Sequence, residues 1–293
     1  MEISLALGGG GAKGNAHIGV LRRLEKEGYK IRSVAGTSFG GLVAILYSIG
    51  YSPREIQAIF ESVDQKALYG RTPQDGPSLL GLAGVRQLLD KVVGTKTFAE
   101  TRIPCAVTAV DINSGGEVIL NKGSLKDAVL ATIALPGIFP VQTINDWNLM
   151  DGGVLNPVPV TVARMLSPNL PVVAVVLNDP IDKPLQTYNL PIPSIVPRTI
   201  AESLQRVSLA QSLDIFLRSV DASSRYVAHL RLLVDKPEIL VRPDVHHINL
   251  LDRVTVEEIA QLGEQALEEV LPELKRKTSW AANLNRRVLG AIK

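Results

Sequence analysis

Between Gly36 and Gly40 the chain reads G-T-S-F-G, a serine flanked by glycines, following one apolar run and opening another. That spacing suits a nucleophile held at the apex of a sharp strand-to-helix turn. Glycine two residues before and two after the serine lets the two backbones pass close to each other. Ser38 then stands at the N-terminus of the helix "FGGLVAIL", where the helix field favours developing negative charge. The plain structural alternative is a strand-to-helix turn with a serine cap.

A second glycine cluster, "GGGGAKG" at residues 8–14, lies between a strand-like run and an amphipathic stretch. Gly9, Gly11 and Gly14 match G-x-G-x-x-G, a pattern used by dinucleotide sites. Such sites also place an acid at the end of the second strand for the ribose hydroxyl, and here that strand ends in "VAGTSFG" instead. A P-loop is disfavoured as well, since Lys13 precedes Gly14 and no Ser or Thr follows the lysine. Considered together with Ser38, the run has another use. A serine attacking an ester creates a tetrahedral oxyanion that needs preorganised N–H donors about 3 Å away. Neighbouring parallel strands would bring both loops to one sheet edge, with the backbone N–H groups of Gly9, Gly10 and Gly11 unshielded by any Cβ.

A serine hydroxyl needs a proton acceptor. The four histidines are His17, His229, His246 and His247. His17 faces inward from the first helix and reads as packing. His229 reads as surface, and the adjacent pair point to opposite faces of a strand. A Ser–Asp–His order through Ser38, Asp151 and a later histidine stays formally open. The other candidate base is Asp151 itself, in "NLMDGG", presented at a strand end with Gly152 and Gly153 leaving its approach open. A carboxylate is a weak base at its reference pKa of about 3.9, and partial desolvation would raise it. An Asp-Gly hairpin turn is the structural alternative.

The elements that must position these groups alternate. Strands are expected at 2–8, 29–36 and 171–179, helices at 12–26 and 39–50, and a helix opened by Ser52-Pro53. Residues 66–84, rich in Gly and Pro, read as a surface loop with a lid-like character, leading to a helix near 85–93. A strand, turn and returning strand follow within 101–123. Next come a helix capped by Ser124, a strand pair around Asn145-Asp146 that delivers Asp151, and a helix at 157–166. Beyond a proline-rich connector at 180–197 the expectation is a helix at 199–234, a strand at 238–245 and a helix at 255–270. Alternating β and α units of this kind predict a mostly parallel sheet covered by helices. One domain over 1–293 is expected, because the late strand would return to the sheet.

With 293 residues, 46% of them hydrophobic, the chain can bury a sizeable core. A formal net charge of +2 lends no support to a nucleic-acid partner. The single cysteine, Cys105, excludes an intrachain disulfide and a cysteine-based metal cluster. No apolar run reaches the roughly 20 residues of a membrane span, and "MEISLALGGGG" lacks a basic leader region, so the expectation is a cytoplasmic protein. The tail from 275 to 293 is basic, with Trp280, Leu284, Val288 and Leu289 interleaved. Peripheral contact with an anionic membrane is one reading of it; a terminal helix with a solvated basic face is the other.

Three ordered stretches carry a family resemblance: "LALGGGGAKGNAHIGVL", "GTSFGG" and "LMDGGVLNPVPV", with "FAETRIPCAVTAVDINSG" and "ATIALPGIFP" between the last two. Over residues 2–178 the chain resembles the patatin-like phospholipases, in the compact bacterial form related to the catalytic domains of neuropathy-target-esterase-like proteins. The resemblance implies a three-layer α/β/α sandwich and hydrolysis of lipid acyl esters with no metal or cofactor. It also implies a Ser38–Asp151 dyad without histidine. Gly9, Gly10 and Gly11 then correspond to the oxyanion loop, followed by Gly14, with Lys13 where many relatives carry arginine. That change keeps the charge but loses the planar fork. A non-catalytic lipid- or nucleotide-binding regulator on the same fold is the alternative from another functional class.

Overall fold

A computed structural model describes residues 1–65, 67–73, 75–185 and 200–279. Its centre is an eight-stranded sheet in the order β5-β6-β3-β2-β1-β7-β8, with β4 also paired to β3. The strands are β1 (Glu2–Leu7), β2 (Lys30–Thr37), β3 (Cys105–Asp111), β4 (Glu117–Leu120), β5 (Gln142–Ile144), β6 (Trp147–Asp151), β7 (Val172–Val175) and β8 (Ile239–Val241). Strands β3, β2, β1, β7 and β8 run parallel; β4 and β6 pair antiparallel with β3, and β5 pairs antiparallel with β6. A mostly parallel sheet flanked by helices is thus the architecture, as the alternation of strands and helices predicts.

Each face of the sheet has its own chemistry. One carries Ile3, Leu5, Leu7, Val34, Val173 and Val175 into a large aliphatic core. Helices α1 (Ala16–Lys26), α2 (Phe39–Ser48), α5 (Leu125–Thr132) and α8 (Val256–Lys277) cover it. The other face presents Ala6, Ala35, Ala106 and Ala174, side chains small enough for α6 (Val160–Leu166) to settle close, joined by Leu232 of α7 (Ile200–Asp235). The shallow alanine floor lets the Ser4 hydroxyl donate to the Ala163 carbonyl at 2.7 Å. Helix α3 (Pro53–Glu61) starts at a capping box between Ser52 and Glu55 with proline at its first turn, and Ser124 caps α5 by accepting from the Asp127 N–H. Both starts agree with expectation.

Helix α8 extends to Lys277, past the expected end at 270 and through Pro272. Proline removes one helical hydrogen bond, but the next turn continues because Leu271 and Leu274 are buried. The 66–84 segment is more than a surface loop. Leu82 in it is fully buried, and Leu79 and Leu80 donate their N–H groups to Gly137 and Ile138 at 3.1 and 2.8 Å. It leads into α4 (Ala83–Val92). Residues 186–199, most of the expected connector, and the tail from 280 onward lie outside the described residues. No helix among the described residues is long and apolar enough to cross a membrane.

Candidate active site

The turn after β2 carries Ser38 at φ 55°, ψ −128°, a backbone conformation that costs free energy for any side-chain-bearing residue. Its surroundings hold it there. The Ser38 N–H donates to Thr132 Oγ1 at 2.9 Å, and that hydroxyl in turn donates to the Thr108 carbonyl at 2.7 Å. Thr37, one residue earlier, bonds the Thr108 hydroxyl and the Asn156 carbonyl. The flanking glycines are needed for space. A Cβ on Gly36 would lie 2.3 Å from the Gly40 carbonyl oxygen, and one on Gly40 would lie 2.4 Å from that of Leu7. Thr132 lies in the "ATIALP" stretch, and nothing in residue type or spacing marked it as the brace of this turn.

Asp151 arrives from a strand that runs the other way. Thr37 pairs with Thr108 across the parallel β2–β3 edge, and Asp151 pairs with Ala109, the next residue of β3. Strand β4 occupies the opposite edge of β3 over the same residues, so β2 and β6 meet end to end in one lane of the sheet. The meeting point joins the two side chains: Ser38 Oγ donates to Asp151 Oδ2 at 2.6 Å. The other carboxylate oxygen, Oδ1, accepts the Gly153 N–H at 2.7 Å, while Gly152 packs on the Thr108 backbone. Asp151 is only 5% exposed. Burial pushes its pKa up to about 6, against the opposing pull of the Ser38 and Gly153 hydrogen bonds. A carboxylate so placed is a better base than one in water and is still ionised at neutral pH.

The glycine loop leaves β1 beside this pair, since Leu7 pairs with Gly36 in adjacent parallel strands. Three bonds hold its beginning. Gly8 N–H donates to Val175 at 3.0 Å, Gly9 N–H donates to Pro157 at 2.9 Å, and the Gly8 carbonyl accepts from His17 Nε2 at 2.8 Å. Burial lowers the His17 pKa to about 4, so its ring is neutral and the nitrogen facing the carbonyl carries the proton. A Cβ on Gly9 would touch Ser38 Cβ at 3.2 Å. Gly11 adopts φ +54°, and a Cβ there would lie 2.1 Å from the Leu250 carbonyl oxygen, so glycine is required. Among the described residues, the N–H groups of Gly10 and Gly11 meet no backbone acceptor. Gly14 packs beneath the Phe39 ring. Lys13 turns away, its ammonium 3.1 Å from Asp179 Oδ1.

Ser38, Asp151 and Gly9–Gly11 line one side of a cavity of about 460 Å³, within the usual range for small-molecule clefts. The remainder is mostly apolar. Leu42 and Phe60 come from α2 and α3, Leu68 and Leu80 from the 63–85 segment, and Leu135 and Phe139 from the turn after α5. No histidine lines it: His17 is sealed in the core, while His229, His246 and His247 are exposed. Cys105 is also sealed, its thiol pushed up to about 12 by burial, which makes it a packed apolar group. A mostly apolar cavity that includes a serine paired to a carboxylate can accept an acyl chain with its ester beside that pair.

Comparison with known proteins places these features in a wider set. The patatin-like phospholipase family model matches residues 5–164. An uncharacterised NTE family protein of Mycobacterium tuberculosis is 34% identical over 180 residues, covering 60% of this chain and 49% of its own length. A second from that organism is 26% identical over 286 residues, 94% of this chain and 48% of its own. Patatin-like phospholipase domain-containing protein 6 of Mus musculus is 30% identical over 195 residues, 64% of this chain and 14% of its own. The chain thus spans about half the length of the mycobacterial relatives it matches. Among solved structures, VipD from Legionella pneumophila superposes with a TM-score of 0.55 at 11% identity, over 92% of this chain and 66% of that one. That likeness is one of fold.

Proposed function

The chain belongs to the patatin-like phospholipase family, and from that premise we propose that it is a serine acyl hydrolase of lipid esters working through a Ser38–Asp151 dyad. The observation that carries the reading is the 2.6 Å hydrogen bond from Ser38 Oγ to a buried carboxylate in the wall of a mostly apolar cavity. Ser38 Oγ attacks the ester carbonyl carbon as its proton passes to Asp151 Oδ2. The carbonyl oxygen becomes an oxyanion, and the Gly10 and Gly11 N–H groups are the donors offered to it. Collapse breaks the bond to the alkoxy oxygen, Asp151 returns the proton to that oxygen, and the alcohol departs. Water then attacks the acyl-serine as Asp151 again takes a proton; collapse breaks the bond from the acyl carbon to Ser38 Oγ, Asp151 returns the proton to that oxygen, and the fatty acid leaves.

In this mechanism Asp151 acts without an intervening imidazole, in accord with a cavity free of histidine. The substrate class is an ester of a long acyl chain, matched to the apolar lining. The test uses the purified chain with a short p-nitrophenyl ester and a panel of lipid esters. A burst of nitrophenol is expected, along with covalent labelling by a fluorophosphonate probe. Both should disappear in Ser38→Ala, and turnover should disappear in Asp151→Asn. Full activity in both variants, or probe attachment at another residue, overturns the assignment.

A further inference from the structure

Beside the glycine loop lies a buried charge cluster that the mechanism does not use. Lys13 Nζ meets Asp179 Oδ1 at 3.1 Å, and Arg225 meets Asp179 Oδ2 at 2.9 Å and Asp221 Oδ2 at 2.6 Å. Arg225 also donates to the Lys183 and Pro184 carbonyls at 3.1 and 3.3 Å. Lys13, Asp179 and Arg225 are each more than nine-tenths buried, and none of the three lines the cavity. Desolvation of such a cluster rivals its Coulombic gain, so stability alone does not account for it. What it supplies over apolar packing is directional geometry.

Two connections lead from the cluster to the loop. The Lys13 N–H donates to the Gly10 carbonyl at 3.2 Å, closing the turn that follows the glycines. Leu177, two residues before Asp179, abuts Gly10, where a Cβ would lie 2.9 Å from its own. A third connection leads to the cavity: Asp221 and Ser224 of α7, neighbours of Arg225 on that helix, line its wall.

We propose that Asp179 and Arg225 are positioning residues, fastening the Gly10–Gly11 segment through Lys13 to the helix that walls the acyl cavity. The seating of α7 and the aim of the loop N–H groups are then one mechanical unit, and Lys13 serves as its link without touching substrate. This rests on the hydrolase reading for its catalytic consequence, but the coupling is a property of the fold.

The experiment compares Lys13→Met and Arg225→Met with the unaltered chain, because each leaves Asp179 one cationic partner. Active sites are titrated with a fluorophosphonate, so that kcat refers to folded enzyme. Both variants should lose about 10- to 100-fold in kcat while KM stays within about threefold. Lys13→Arg should recover most of the turnover lost in Lys13→Met. In both Met variants amide hydrogen exchange should quicken in a peptide spanning residues 8–15, whether or not any substrate is hydrolysed. Should Arg225→Met fail to fold, Arg225→Lys keeps a cation while losing the fork, and should show the same changes in smaller measure. Faster exchange in a chain with no hydrolase activity at all supports the coupling and removes the function. Unchanged kcat and unchanged loop exchange in an active, folded Arg225 variant overturn the proposal, even if its melting temperature falls.

Discussion

Thr37 and Asp151 occupy consecutive positions along one edge of β3, opposite Thr108 and Ala109, although they come from strands of opposite direction. Where β2 stops to turn at Ser38, β6 also ends, arriving from the opposite direction, and its last residue's carboxylate falls on the serine hydroxyl. The Ser38–Asp151 pairing is therefore built on sheet register, with each partner held by a backbone ladder. A strand shifted by one residue would turn Asp151 to the other face.

The rate profile should reflect the base. With Asp151 held at about 6 by burial, kcat/KM for a short ester should climb through pH 5–7 and level off above. A profile flat from pH 4.5 upward would contradict general-base action by this group.

Replacing the base should also stabilise the protein. The folded pKa of Asp151 is raised above its ordinary 3.8, so the folded state binds the proton more tightly. Stability is then lost as pH rises from about 4 to 6, and the cost is complete above that, about 3 kcal/mol at most. Asp151→Asn, neutral, with Oδ1 accepting from Gly153 and Nδ2 donating to Ser38 Oγ, should melt higher than the parent at pH 8 and lose that advantage at pH 4. Calorimetry at the two values decides it.

His17 works in the opposite direction over the same window. Its folded pKa is lowered from 6.5 to about 4, so the unfolded chain binds the extra proton. The stability it brings is full above pH 6.5 and declines as pH falls toward 4. The two slopes oppose each other in the parent. Denaturation titrations should show a steeper acid loss in Asp151→Asn and a shallower one in His17→Gln; parallel curves for all three would refute both placements.

Space at the turn admits no Cβ. Gly40→Ala forces an atom to within 2.4 Å of the Leu7 carbonyl oxygen, a backbone clash that rotamers cannot relieve. A loss of more than about 3 kcal/mol is expected, read as insoluble product or a melting temperature lower by many degrees. Gly76→Ala, with nothing within 4 Å, is the matched control.

The apolar wall should set chain-length preference. Leu80→Trp fills part of the apolar lining, and the ratio of activity on a long-chain ester to that on a butyrate ester should fall at least about tenfold. An unchanged ratio would mean that the acyl chain lies elsewhere.

Local features were legible in the order of residues. The Ser52-Pro53 and Ser124 helix starts, the serine between two glycines and the carboxylate before Gly152-Gly153 each depend on a few neighbours in the chain, and each forms as that local chemistry requires. The end of α8 was not legible, because burial of Leu271 and Leu274 outweighed the local signal of Pro272. Lys13 was readable as part of the glycine loop, but its partner Asp179 was not: an ion pair across 166 positions leaves no periodicity. The same holds for Thr132, which braces a turn 94 residues away.

The sequence by itself determined the parts: a strained serine turn, a bare glycine loop and a carboxylate at a strand end, since backbone preference and capping act within one or two turns of chain. Only the tertiary structure decided that Ser38 meets Asp151, that His17 is buried with its ring bonded to the Gly8 carbonyl, and that α7 joins the cavity wall. Those outcomes depend on strand register and burial, and both are set by the whole core folding at once.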